Sequence, residues 1–309
     1  VVNAVGGIIA NTTGLPDDVT FTESTALDSN GGSFSYTPAI GSSILADLGD
    51  VKIDRSQAGQ SSLDGTYLNE ILLGRDGYDD TINGNRGDDI LIGLGGDDIL
   101  KGGYGDDILD GGLGNDTING QSGLDTATYI DSAGSVTISL AVTTAQNTGG
   151  AGTDTLSNIE NLIGSNYADN LTGNNAANVI SGGAGNDTIS GGGGEDILRG
   201  GLGADILTGG NGADVFKLMA ADKDLNVDTI KDFTLNQDKL DLSDVLNDPT
   251  VSLSNYLDVK ANGNDAVVNV YSSGNAATAV TSDYVIILEG LGTDLQDLQD
   301  YLHGGGVIQ

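Results

Sequence analysis

One residue in nine governs this chain. An aspartate returns at every ninth position, as Asp89, Asp98, Asp107, Asp116 and Asp125, and two residues behind each stands Leu91, Leu100, Leu109, Ile118 or Ala127. Asp80 and Ile82 extend the array backward, although the stretch from Gly74 to Gly84 is one residue too long for a clean first repeat. A second array places Asp169, Asn178, Asp187, Asp196, Asp205 and Asp214 in the same slot, followed by Leu171, Ile180, Ile189, Leu198, Leu207 and Phe216. The template is Gly-Gly-x-Gly-x-Asp-x-apolar-x. Biased composition preserves residue frequencies, but it does not lock one apolar residue to one aspartate through twelve repeats.

A single apolar residue per nine permits only a very short strand, because strand side chains alternate between faces. The residues between strands must turn the chain sharply, and glycine reaches the positive-φ conformations such turns use. Two nonapeptides then make one coil with two short parallel sheets, and the apolar slots stack inward on those of neighbouring coils. Composition by itself points elsewhere. The 45 acidic residues against 11 basic ones, net charge −34, 50 glycines and 5% aromatics describe a disordered or solvating chain. The regular placing of its 38% hydrophobic residues is what argues for a fold.

The charge excludes a phosphate-binding surface, so no nucleic acid partner is expected. There is no cysteine, which excludes disulfides and thiolate metal sites. No apolar run approaches the roughly 18 residues of a membrane-spanning helix.

The apolar interior does not suffice to hold the coils. A buried Leu or Ile contributes about 1.5–3 kcal/mol, against about 1–2 kcal/mol of backbone entropy for every ordered residue. Each turn, however, bares its carbonyl oxygens and ends in an aspartate. Stacked turns form an anionic cage of oxygen atoms, the donor set that Ca²⁺ takes.

The runs Gly111-Gly112-Leu113-Gly114-Asn115-Asp116-Thr117-Ile118 and Gly182-Gly183-Ala184-Gly185-Asn186-Asp187-Thr188-Ile189 resemble the calcium-binding nonapeptides of RTX proteins. The resemblance covers residues 74–128 and 161–217. It implies an all-β chain, a right-handed parallel β-roll (a β-solenoid) in two arrays with β-rich flanking caps and a short C-terminal helix. It also implies roughly 5–9 calcium ions held between one turn and the next but one. Asp89 would pair with Asp107, Asp98 with Asp116, Asp107 with Asp125, Asp187 with Asp205, and Asp196 with Asp214. Asp169 joins this ligand set, uncharged Asn178 and the slipped Asp80 make weaker sites, and Asp228 closes the last one. Carbonyls of the first and third template positions complete the set: Gly84, Arg86, Gly93, Gly95, Gly102, Tyr104, Gly111 and Leu113, then Gly182, Ala184, Gly191, Gly193, Gly200, Leu202, Gly209 and Asn211.

The flanks divide the chain into five parts: a β-rich segment at 1–70, a first roll at 71–128, an insert at 129–160, a second roll at 161–217, and a cap at 218–309. In the N-terminal part "GGSFSYTP", 31–38, resembles strands of adhesin repeats. Val136, Ile138, Leu140 and Val142 alternate as in a half-buried strand, so the insert is expected to be a hairpin packed on the roll. Asp222, Asp224 and Asn226 hint at an EF-hand. Val227 stands where that loop needs glycine and Phe233 where it needs glutamate, which favours a solvated acidic loop. "DAVVNVY" and "SDYVIILEG" read as strands. Leu295, Leu298 and Leu302 fall at helical spacing, with Thr293 and Gln296 as a capping box and Gly304 as a stop. That leucine stripe is either core or, by resemblance, the C-terminal signal read by type I secretion machines.

An enzyme is not expected within these residues. The one histidine, His303, cannot build H-E-x-x-H, and "GQSG" at 120–123 is a repeat turn rather than a nucleophile elbow. Ice binding is disfavoured as well. Template position five reads Asp88, Asp97, Asp106, Asn115 and Leu124, then Asn186, Glu195, Ala204 and Ala213, which is no threonine ladder.

The chain begins at Val1, not Met, and reads as part of a longer product. The resemblance implies the calcium-binding C-terminal region of a large adhesin, monomeric and secreted or held at the cell surface. Its partners would be calcium and the type I machinery of ABC transporter, adaptor and outer-membrane channel. Two alternatives stand beside it: the calcium module of an RTX enzyme whose catalytic domain lies elsewhere, and a surface-binding solenoid.

Overall fold

The apolar slots form rows, and the rows define the architecture. In the computed structural model of the chain, residues 52–55, 62–246, 253–272 and 282–308 are described. Residues 1–51, with the expected strand pieces at 31–38, lie outside them. The chain divides into two units, residues 1–134 with 142–166, and residues 135–141 with 167–309.

In the first unit one parallel sheet runs through Lys52–Arg55, Glu70–Leu73, Ile90–Ile92, Ile108–Asp110, Thr126–Thr128 and Asn161–Ile163. Its register aligns Leu72, Leu91, Leu109, Ala127 and Leu162, each fully buried. The facing sheet holds Ser62–Asp64, Thr81–Arg86, Ile99–Tyr104, Thr117–Ser122 and Thr153–Ser157, aligning Leu63, Ile82, Leu100, Ile118 and Leu156. This is the parallel β-roll that the nine-residue period predicts, with one inward side chain per strand.

The second unit repeats the plan. Val179–Ala184, Ile197–Leu202, Val215–Lys217, Lys239–Asp241 and Val307–Ile308 align Ile180, Leu198, Phe216, Leu240 and Val307. Opposite them Thr137–Ser139, Asn170–Thr172, Thr188–Gly193, Ile206–Asn211, Val227–Ile230 and Tyr284–Leu288 align Ile138, Leu171, Ile189, Leu207, Ile230 and Leu288. Two antiparallel strands, Asp265–Val270 and Leu257–Asn262, then cover the sheet edge beyond Tyr284–Leu288. Leu257–Asn262 is then the edge strand of that sheet.

The turns need glycine for a concrete reason. Gly105 has φ +128°, and a Cβ there would fall 2.6 Å from the Gly87 carbonyl carbon and 2.8 Å from Asp88 Oδ1. No L side chain fits between coils that close together.

The flanks depart from expectation in four respects. The insert at 129–160 is not a hairpin packed on a roll. Thr137–Ser139 and Thr155–Ser157 each enter a roll sheet as a parallel rung, and only Gln146–Asn147 pairs antiparallel with the latter strand. An apolar residue at the register position suffices for a rung, and Ile138 and Leu156 supply it. Residues 161–163 belong to the first unit, since Leu162 lies beside Ala127. Rungs also extend into the expected caps, at Ser62–Asp64 and Lys239–Asp241.

The C-terminal helix is Leu295–Tyr301, and its N-cap is Asp294 with no side-chain hydrogen bond, not a Thr293–Gln296 box. Gln296 instead donates from Nε2 to Asp300 Oδ1 at 2.8 Å. A wider π-turn, Leu302–Gly306, carries the chain past Gly304 into the last strand.

Candidate metal centres

Each aspartate of the template occupies the start of a strand, where the chain leaves its glycine turn, and its side chain is buried there. One carboxylate oxygen is committed to the fold. Asp107 Oδ1 accepts the Asp89 N–H at 2.8 Å, and Asp125 Oδ1 accepts the Asp107 N–H at 2.9 Å. The Asp80 and Asp98 N–H groups go in the same way to Asp98 and Asp116, at 2.7 and 2.8 Å. The second unit repeats the ladder from Asp169 to Asp187, Asn178 to Asp196, Asp187 to Asp205 and Asp196 to Asp214. Every aspartate pair named from the sequence therefore stands on adjacent coils.

The other oxygen is not committed. Oδ2 of Asp89, Asp98, Asp107, Asp116 and Asp125, and of Asp187, Asp196, Asp205 and Asp214, is buried without a hydrogen-bond partner. A buried carboxylate oxygen left unpaired is costly, and here it recurs nine times at one template position.

Main-chain carbonyls converge on the same places. A Cβ on Gly93 would collide with Asp98 Oδ2 and fall 2.6 Å from Gly111 O; one on Gly182 would meet Asp187 Oδ2 and Gly200 O. The carbonyls of Gly84, Gly93, Gly102, Gly111, Gly191, Gly200 and Gly209 are all turned in this way onto the glycine of the neighbouring coil. Gly120 and Asn158 carbonyls, which the template list omits, do likewise.

The third-position carbonyls have a first duty elsewhere. Those of Gly95, Tyr104, Leu113, Leu202 and Asn211 accept coil-to-coil hydrogen bonds of 2.8–3.0 Å, which leaves each one lone pair. Arg86, Ala184 and Gly193 stand opposite Tyr104, Leu202 and Asn211 in the same ladders.

Burial drives the carboxylates toward protonation. Asp89 and Asp187 are pushed up to about 8, first by desolvation and then by the Asp107 or Asp205 charge on the adjacent coil. Asp107 and Asp116 rise to about 7, and Asp98, Asp125, Asp196 and Asp205 to about 6, desolvation again leading. A divalent cation among these oxygens would hold them ionised. Among the described residues no three Asp, Glu, His or Cys side chains gather on one point. The donor set is a carboxylate oxygen with main-chain carbonyls, hard oxygen ligands that fit Ca²⁺.

Not every expected ligand has a spare oxygen. Asp80 Oδ2 accepts the Arg75 N–H at 2.6 Å, and Arg75 Nη2 donates to its Oδ1 at 3.0 Å, so the slipped repeat carries an internal cation. Asn178 Oδ1 accepts from Asn174 N at 2.8 Å. Asp169 Oδ1 accepts from Val136 N, the same ladder bond that the other template aspartates make. Asp228 continues the ladder, taking the Asp205 N–H at 3.0 Å, and burial raises it to about 7.

The acidic loop before it is solvated at Lys223, Leu225 and Asn226, as expected, but not at its first carboxylate. Asp222 is buried against Arg199, whose Nε lies 3.1 Å from both carboxylate oxygens, because the loop folds back over the roll. The structure adds four acids that the strict period hides: Glu70, Asp154, Glu160 and Asp238. Glu70 donates its N–H to Asp89; Asp154, Glu160 and Asp238 accept from Asp116, Asp125 and Asp214. Of the C-terminal leucines, Leu298 and Leu302 are buried and Leu295 is half-buried.

Stacked coils with an aspartate closing each turn, nine of them with one bare oxygen, define a parallel β-roll whose turns fit divalent cations. The family model for the RTX calcium-binding nonapeptide repeat matches in four copies, at residues 64–100, 92–127, 163–198 and 190–217. These segments are RTX calcium-binding repeats. Among solved structures the chain is similar to the AlgE6R3 subunit of the Azotobacter vinelandii mannuronan C5-epimerase, at 28% identity, 46% of this chain, 78% of that one and a TM-score of 0.35. It is also similar to the AlgE6R2 subunit of the same enzyme, at 28% identity, 47% of this chain, 89% of that one and a TM-score of 0.33. No curated protein sequence matches the chain.

Proposed function

We propose that this chain is the calcium-triggered region of an exported adhesin, carried out by a type I machine of ABC transporter, adaptor and outer-membrane channel, and folded outside the cell. The observation that carries the proposal is the set of nine buried, unpartnered Oδ2 atoms. They make the folded state depend on a ligand that the cytosol does not supply. Extracellular calcium modules bind at about 10⁻⁴–10⁻³ M, and ligand at 100 times its dissociation constant stabilises by about 2.7 kcal/mol per site. Without it, 45 acidic side chains keep the chain extended, the form a channel can pass.

The role is binding rather than catalysis, with the one histidine, His303, exposed. Leu298 and Leu302 are core once folded, but in the extended chain the same leucines are open to be read as an export signal. Deleting residues 251–309 from the secreting cell's gene should leave the product in the cytoplasm. Normal export of the truncated chain would reject a signal in that segment.

A further inference from the structure

Residues 149–156 read Gly-Gly-Ala-Gly-Thr-Asp-Thr-Leu, a full copy of the template that lies outside both periodic arrays. Asp154 holds the aspartate slot and Leu156 the apolar one. Asp154 Oδ1 accepts the Asp116 N–H at 3.0 Å, and Leu156 stacks beside Ile118, as in any other coil. Its second oxygen is different. The Tyr129 hydroxyl donates to Asp154 Oδ2 at 3.1 Å and the Thr148 hydroxyl at 3.0 Å, with Asp154, Thr148 and Tyr129 all buried. The turn differs as well. Thr148 N–H closes onto Gly152 O at 2.8 Å. A Cβ on second-position Gly150 would meet Ser132 Oγ and Gly134 O, whereas one on Gly112 would meet the Leu94 carbonyl of the adjacent turn.

We infer that this junction is closed by protein alone: the Tyr129 and Thr148 hydroxyls stand where a cation would lie against Asp154, and Asp154 binds no calcium although its motif is complete. The inference rests on reading the unpartnered aspartate oxygens as calcium ligands. A carboxylate oxygen that accepts two O–H bonds has its acceptor sites filled. Calcium sits 2.3–2.6 Å from its oxygens, so entry would break both hydrogen bonds in a buried place where water cannot replace them. Binding at Asp116 or Asp125, by contrast, satisfies an oxygen that otherwise has no partner. One coil of the first unit is thereby stacked without metal.

Crystals of the full chain grown in calcium, measured for anomalous scattering, provide the test. Peaks are expected beside Oδ2 of aspartates such as Asp89 and Asp187, and none within coordination distance of Asp154. A peak there would overturn the inference. Native mass spectrometry supplies the second measurement: Asp154→Asn should keep the wild-type number of ions, while Asp187→Asn should lose at least one. An ion lost from Asp154→Asn would again overturn the inference. An unchanged count in Asp187→Asn, with no peak at any unpartnered aspartate, would overturn the calcium reading beneath it instead.

Discussion

Stripping the divalent cation should make folding of the rolls depend on protons. The folded chain holds Asp89 and Asp187 at about 8, Asp107 and Asp116 at about 7, and Asp98, Asp125, Asp196 and Asp205 at about 6, whereas an exposed aspartate titrates near 3.8. Because the folded state binds these protons more tightly than the unfolded one, their contribution is fully present below about pH 4. It is lost as pH rises through 6 to 8. Each pH unit between the two values corresponds to about 1.4 kcal/mol. The displacement at Asp98, about 6 against 3.8, is then ~3 kcal/mol, and solvent reaching the turn at least halves it to ~1.5 kcal/mol. Eight such groups reach the ~5–15 kcal/mol that is the whole stability of an ordinary domain. Metal-free protein at pH 8 should therefore show little β structure by far-UV circular dichroism. Acidification to pH 4.5 should restore it cooperatively, with a midpoint of about 5–7. Calcium should restore the same spectrum at pH 8 without acid. A metal-free spectrum that is the same from pH 8 to 4.5, or that loses β structure on acidification, would refute the reasoning.

Gly93→Ala should remove an ion without removing a carboxylate, since the new Cβ would crowd Asp98 Oδ2 and Gly111 O. A Gly-to-Ala change otherwise stabilises by about 0.4–1 kcal/mol through the unfolded state. Calorimetric titration should show fewer calcium ions bound, and unchanged stoichiometry would count against the site. Arg199→Met should leave Asp222 as an uncompensated buried charge and cost about 3–5 kcal/mol, lowering the melting temperature of the calcium-loaded chain by at least ~6 °C. Adding Asp222→Leu should recover most of that loss, whereas an unshifted melt in the single variant would show that the pair bears no load.

The rolls were legible because period, turn chemistry and core all live in one nonapeptide. Leu91, Leu100 and Leu109 announce their own positions, and the aspartate pairs follow from stacking them. The added rungs were hidden by spacing. Ile118 meets Leu156 and Leu207 meets Ile230 across loops of irregular length, so no fixed period connects them. Partner identity was hidden more deeply. Nothing in Asp80 or Asp222 reveals that an arginine side chain, Arg75 or Arg199, will satisfy it. Those contacts depend on where a loop lands, which is a tertiary outcome rather than a local one.

A shorter rule than the nonapeptide would have found the hidden rungs. Glu70 precedes Leu72, Asp154 precedes Leu156, Glu160 precedes Leu162, Asp228 precedes Ile230 and Asp238 precedes Leu240, always by two. Asp154, Glu160, Asp228 and Asp238 accept the N–H of the preceding coil, although the sequence separation in those bonds is 38, 35, 23 and 24 residues. The acid's first task is thus register. One oxygen pins a strand start to its neighbour while the residue two further on fills the row, and this works with or without a glycine turn. The glycines add the second task, bringing carbonyls close enough to the remaining oxygen for a metal to join them. Where a hydroxyl or a main-chain amide reaches that oxygen first, as at Asp154 or Asp80, the coil keeps its register and the oxygen already has a partner.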